Sequence, residues 1–145
     1  MSETTVYVAR KILTMNPRQS EATHLAVRDG RILAVGDLAR MQAWGRHRLD
    51  TRFEGKVLMP GFVNAHSHSP MTLLRGYAEN LPLQRWLNEK VFPFEDRIKG
   101  EDAYYSSMLA IAEMLRYGTV SFSDMYFFSE NVAKAVTDSG IKCNF

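Results

Sequence analysis

From Pro60 onward the chain alternates strand-like and helix-like stretches, and that alternation restricts its fold more than any other feature. "FVNAHSH" reads as a strand ending on His66 and His68, and "PLQRWLNEKVFPFEDRI" is largely helical with an interruption near Pro93. "DAYYSSMLAIAEMLRYG" places Tyr104, Met108, Ile111 and Leu115 at i, i+4, i+7 and i+11, one apolar helix face, with Gly118 as its stop. "TVSFSDMYF" alternates, so Val120, Phe122 and Asp124 share a side. A second helix is expected over 131–139, ending at Gly140, and "IKCNF" begins another strand. Strand, helix, strand, helix, strand implies parallel strands joined by helical crossovers, an α/β architecture.

The first sixty residues differ in character. "VYVAR", "KILTM", "HRLDTRFE" and "KVLMP" are short β-rich runs, and "DLARMQAW" has room for one or two helical turns. In "HLAVRDGRILAVG" two apolar runs flank Asp29-Gly30, a pair that tolerates positive φ and predicts a hairpin. The expected division is therefore a β-rich segment 1–59 followed by an α/β segment 60–145. A closed (β/α)₈ barrel takes ~250 residues, and the stretch after His68 is far shorter. Either the sheet is small and open or this is the front piece of something longer. The second is the expectation, because "IKCNF" opens a strand at the last residues.

Composition removes several function classes. Basic and acidic residues number 18 and 16, and no basic block argues for nucleic acid or an anionic membrane. One cysteine, Cys143, leaves no internal disulfide and no Cys-rich zinc module, and fits a reducing cytoplasm. No apolar run approaches the ~20 residues of a membrane helix, and the N-terminus lacks a signal-peptide pattern. Cytoplasmic localisation is expected.

Residues i and i+2 of a strand face the same way, about 6.5–7 Å apart. Imidazoles at that spacing can converge on one metal ion with Zn–N distances of ~2.0–2.1 Å. The spacing equally suits two half-buried histidines satisfied by backbone groups. His24 and His47, the other two of the four histidines, lie in the β-rich part and read as structural or surface residues. A catalytic zinc site normally has three protein ligands. No histidine follows His68, so further ligands are expected from residues past Phe145 or from another chain.

The succession "VLMPGFVNAHSHSPMTLLRG", "PLQRWL" and "FPFED" resembles the amidohydrolase superfamily over essentially the whole chain. The nearest branch is that of 5-methylthioadenosine/S-adenosylhomocysteine deaminases, with related chlorohydrolases and aminohydrolases. The resemblance implies a (β/α)₈ TIM barrel preceded by a share of a small β-sandwich. It implies one divalent metal ion, Zn²⁺ expected, with His66 and His68 as two of its ligands. It also places Trp86 and Glu95 in a nucleoside pocket, Trp86 as an apolar or stacking wall and Glu95 as acceptor from ribose hydroxyls. Core packing for Trp86 and a solvated charge for Glu95 are the alternatives. Asn64 and Asp124, near strand ends, are candidates to support the site, with hydrogen bonding inside the barrel the expected role. No residue of this chain matches the family's proton-shuttling groups, so none is assigned a catalytic role.

The implied reaction is hydrolytic deamination at carbon 6 of an adenine nucleoside such as S-adenosylhomocysteine or 5-methylthioadenosine, with metal-activated water attacking and ammonia leaving. The zinc-deaminase design built on Pro-Cys-x-x-Cys is excluded by the single cysteine. Triazine dechlorination or guanine deamination is the alternative within the superfamily, and a fragment inactive by itself is the non-enzymatic one. The expected partner is a small nucleoside, with neither nucleic acid nor membrane involved. If the protein consisted of these 145 residues alone, aggregation or self-association through exposed barrel edges would be expected.

Overall fold

The computed structural model describes residues 3–145. The chain separates into two compact units, one through Pro60 and one from Gly61.

The first unit is a four-stranded mixed sheet. Its strands are β1 (Thr4–Leu13), β2 (Glu21–Arg28), β3 (Arg31–Gly36) and β4 (His47–Leu58), in the order β3-β2-β1-β4. β1 pairs antiparallel with β2 and parallel with β4. The two short runs foreseen at each end of this unit are continuous strands. Register shifts inside β1 move its buried positions from Val6 to Ala9 and Ile12, which breaks simple alternation and makes one strand read as two. The Asp29-Gly30 hairpin is present: φ is 51° and 70°, so both central residues take the positive values that a two-residue turn between twisted strands requires. Helix α1 (Leu38–Gln42) is capped by the Asp37 carboxylate, which accepts from the Arg40 N–H at 2.9 Å. Met41 of α1 joins Val6, Ala26 and Ala34 in the core of this unit.

The second unit is α/β. Strands β5 (Phe62–Ser67), β6 (Thr119–Asp124) and β7 (Lys142–Asn144) are parallel, in the order β5-β6-β7. Between β5 and β6 come a 3₁₀ segment (Ser69–Leu74), helices α2 (Leu83–Trp86) and α3 (Phe92–Glu95) joined by a π turn (Leu87–Val91), and helix α4 (Gly100–Arg116). Helix α5 (Ser129–Ser139) connects β6 to β7 and ends at Gly140. Three strands form an open sheet with β5 and β7 at its edges. The mixed α/β class and the parallel pairing match the sequence reading; a closed barrel is not formed by these residues.

The α-helical run is interrupted near Pro93, as expected, by the π turn that separates α2 from α3. Proline has no N–H, and its ring would collide with a carbonyl one turn earlier. The widened π turn just before it absorbs both problems and the helix continues into α3. Of the expected apolar face of α4, Ile111 is buried and Tyr104 and Met108 pack against the core, whereas Leu115 is 44% exposed; α4 also buries a second face of Ala103, Ser106, Ser107 and Ala110. Small residues face inward here because the 3₁₀ segment packs close to α4. Ser69 Oγ lies 2.9 Å from Ser107 Oγ, and Thr72 Oγ1 donates to the Ser106 carbonyl at 2.8 Å. On the sheet side, Ile111, Phe122, Ala135 and Ile141 form the core, with Tyr104, Met108 and Met114 against it.

Gly61 has a steric reason. A Cβ built there would lie 2.5 Å and 2.6 Å from the two methyls of Val120 on the neighbouring strand. Gly61→Ala is expected to destabilise the protein by about 1–3 kcal/mol through overpacking. Adding Val120→Ala should recover most of that loss in urea unfolding. Equal midpoints for Gly61→Ala and the parent would show the contact to be immaterial.

Candidate functional site

The C-terminal ends of β5 and β6 carry the site. His66 is on β5, and His68 follows the strand as the residue preceding the 3₁₀ segment. Pairing irregularity between Asn64 and Ser67, where β5 holds one residue more than β6, places a bulge at Ala65–His66. Bulges re-aim side chains. The two imidazoles sit with ring centroids 4.9 Å apart and planes at 86°.

His68 Nδ1 lies 2.5 Å from the Met125 carbonyl oxygen. A carbonyl only accepts, so Nδ1 carries the hydrogen and the lone pair resides on Nε2. This is the arrangement in which a backbone acceptor fixes the tautomer and orientation of a metal-binding histidine. The donor chemistry of the pair thus fits a divalent ion of borderline softness such as zinc. Among the described residues no group of three or more His, Cys, Asp and Glu gathers around such an ion.

Asp124, the last residue of β6, is buried and organises the turn after His68. Its Oδ1 accepts from the Ser69 N–H at 2.9 Å and the Met125 N–H at 3.1 Å, with Ser67 Oγ at 3.5 Å, and its Oδ2 accepts from Ser69 Oγ. The Met125 N–H also donates to the Ser67 carbonyl at 3.1 Å. Asn64 Oδ1 accepts from the His66 N–H at 3.3 Å. Farther out, the Arg75 guanidinium clasps both oxygens of Glu113 on α4 at 2.8 Å, and this holds the Glu113 carboxyl below its ordinary pKa.

A concave pocket of about 420 Å³ opens beside His68, and Trp86, Glu95, Phe92, Met125 and Tyr126 are among its walls. Three of the four residues singled out in the sequence, His68, Trp86 and Glu95, therefore share one cavity; His66 stands next to His68 but is not on its wall. Trp86 and Glu95 flank the π turn, so the widened turn sets their relative placement. Sequence reasoning missed Tyr126. Its hydroxyl donates to Glu95 Oε1 at 2.6 Å, and its ring centroid is 6.3 Å from that of His68. Burial, then the bond to Glu95, pushes the phenol's pKa well above its usual value. The run "DMYFF" straight after β6 held the signal, since side chains at strand C-termini face the site of such sheets. His24 and His47 lie in the other unit, with Nδ1 at 2.8 Å from Thr23 Oγ1 and from the Gly45 carbonyl, respectively.

A parallel sheet whose first strand ends on paired histidines beside a largely apolar pocket is an arrangement found at hydrolase sites of α/β proteins, and sequence comparison makes the class specific. The amidohydrolase family profile matches residues 57–144, and the chain belongs to that family. It is 50% identical over 99 residues to the 5-methylthioadenosine/S-adenosylhomocysteine deaminase of Dictyoglomus thermophilum, covering 67% of this chain and 23% of that protein. The 5'-deoxyadenosine deaminase of Methanosarcina mazei is 42% identical over 137 residues, covering 92% and 30%. A zinc-bound adenosine deaminase from Xanthomonas campestris superposes with a TM-score of 0.80 at 33% identity, over 96% of this chain and 32% of that one. The chain thus spans about a quarter to a third of the length of these relatives. Among the described residues no helix is long and apolar enough to cross a membrane.

Proposed function

We propose that this chain forms part of a metal-dependent deaminase acting on an adenine nucleoside of the 5-methylthioadenosine or S-adenosylhomocysteine type. The observation that carries the reading is the single cavity shared by His68, Trp86 and Glu95, in a chain similar to enzymes named for adenine-nucleoside deamination. Residues 1–59 are read as one share of a β-sandwich and 60–145 as the first β/α units of a TIM barrel.

His66 and His68 would hold the divalent ion, through Nε2 in the case of His68. Bound there, such an ion supplies a water acidic enough to act as a nucleophile near neutral pH. Trp86 offers a flat apolar face to the adenine or its 5' substituent. Glu95, acceptor-only when ionised, suits the vicinal ribose hydroxyls. The apolar walls from Met71, Val91 and Phe92 exclude water from the bound base. In the overall reaction water adds at carbon 6, the amino group departs as ammonia, and the product is the 6-oxo purine nucleoside.

The full-length protein, assayed for ammonia with 5-methylthioadenosine, S-adenosylhomocysteine, adenosine, guanine and a chlorotriazine, is expected to act on one or more of the adenine nucleosides. Ammonia from guanine alone, or chloride from the triazine alone, would overturn the assignment.

A further inference from the structure

Tyr126 has a placement that core packing does not require. The residue before it is fixed at both backbone polar groups: the Met125 N–H donates to the Ser67 carbonyl, and the Met125 carbonyl accepts from His68 Nδ1. Tyr126 therefore emerges from a backbone tied on both sides to the histidine-bearing strand. Its hydroxyl reaches across the pocket mouth to Glu95 Oε1 at 2.6 Å. Glu95 is the last residue of a four-residue helix and is half-buried. Among the described residues its Oε2 accepts no hydrogen bond. A glutamate at such a position has several rotamers, and fixing one upon binding costs affinity.

We infer that Tyr126 is a positioning residue for Glu95, holding Oε1 so that Oε2 is presented to the 2' and 3' hydroxyls of a bound nucleoside. The inference rests on the deaminase reading above. A phenol-to-carboxylate bond is charge-assisted and short, strong enough to select one rotamer. A phenol, with an ordinary pKa of about 10, is protonated and able to donate across the neutral range. Because the same backbone segment holds His68, the ribose-binding carboxylate and the metal-binding imidazole keep a fixed spacing. The substrate would be measured against that spacing from ribose to purine carbon 6.

The test is a double-mutant cycle in the metal-loaded full-length protein with 5-methylthioadenosine and its 2',3'-dideoxy counterpart. Tyr126→Phe removes only the hydroxyl. It is expected to raise KM for the ribosyl substrate about 5- to 10-fold with kcat within twofold, and to leave the dideoxy substrate unchanged within twofold. Glu95→Ala is expected to raise KM for the ribosyl substrate further, and in that background Tyr126→Phe should add nothing. Equal losses on both substrates, or additive losses in the cycle, would mean that the tyrosine only supports the fold. An unchanged KM in Tyr126→Phe beside a raised one in Glu95→Ala would also overturn the inference while leaving the deaminase reading standing. If the unsubstituted protein releases ammonia from no adenine nucleoside, the parent reading fails and takes the inference with it.

Discussion

His68→Ala in the full-length protein is expected to abolish stoichiometric metal retention and to lower turnover by more than ~100-fold. Loss of an outer partner of a metal-binding histidine already costs roughly 10–100-fold in affinity or activity, and loss of the imidazole itself removes the donor. The substitution also frees the Met125 carbonyl, which accepts from His68 Nδ1 at 2.5 Å and so joins the β6 end to the β5 end. Metal content after gel filtration, measured beside ammonia release, reads the effect. His66→Ala should behave alike. His24→Ala and His47→Ala should retain metal, because those rings belong to the other unit. Full metal occupancy and undiminished turnover in His68→Ala would remove the metal assignment.

The second large effect is on stability, at Asp124. This buried carboxylate accepts from two backbone N–H groups and the Ser69 hydroxyl, and Ser69 in turn meets Ser107, which is fully buried on α4. Asp124→Ala strands the Ser69 N–H in the interior, whereas the Met125 N–H keeps the Ser67 carbonyl and the Ser69 hydroxyl keeps Ser107, and it is expected to cost about 2–4 kcal/mol, read as a lower urea midpoint at constant m. Asp124→Asn keeps one acceptor oxygen for the two N–H groups, and Ser69 can reverse its hydroxyl to accept from the new amide. Its cost should be about 1 kcal/mol. The ordering of the two variants is the discriminating result. Equal midpoints for Asp124→Ala and the parent protein would show that the network holds nothing. Because the same carboxylate fixes the turn after His68, Asp124→Ala should also weaken metal retention.

Much of the α/β unit was legible because its signals are local. Periodicity gave α4, the run up to Gly140 gave α5 and alternation gave β6; in the first unit, a turn pair that tolerates positive φ gave the hairpin at Asp29-Gly30. Errors arose where tertiary contacts override local pattern. Leu115 fits the apolar face on which Ile111 is buried yet is 44% exposed, and α4 also buries a face of alanines and serines where the 3₁₀ segment packs close. Pro93 signals an interruption, whose form, a π turn upstream, only the structure shows. The two runs of β1 appear separate because register shifts change which residues point inward.

At the site the division has the same cause. The sequence by itself determined the family and the candidate donors: two histidines one residue apart at a strand end, in a context that fixes the amidohydrolase family. It also supplied Trp86 and Glu95 as candidates, because their motif is contiguous. Only the tertiary structure decided that His68, Trp86 and Glu95 face one cavity, that the Met125 carbonyl sets the His68 tautomer, and that Tyr126 holds Glu95. Those three facts join residues as far as 57 positions apart. Hydrogen bonds across such separations depend on how parallel strands and their crossover helices pack, and no local pattern encodes that.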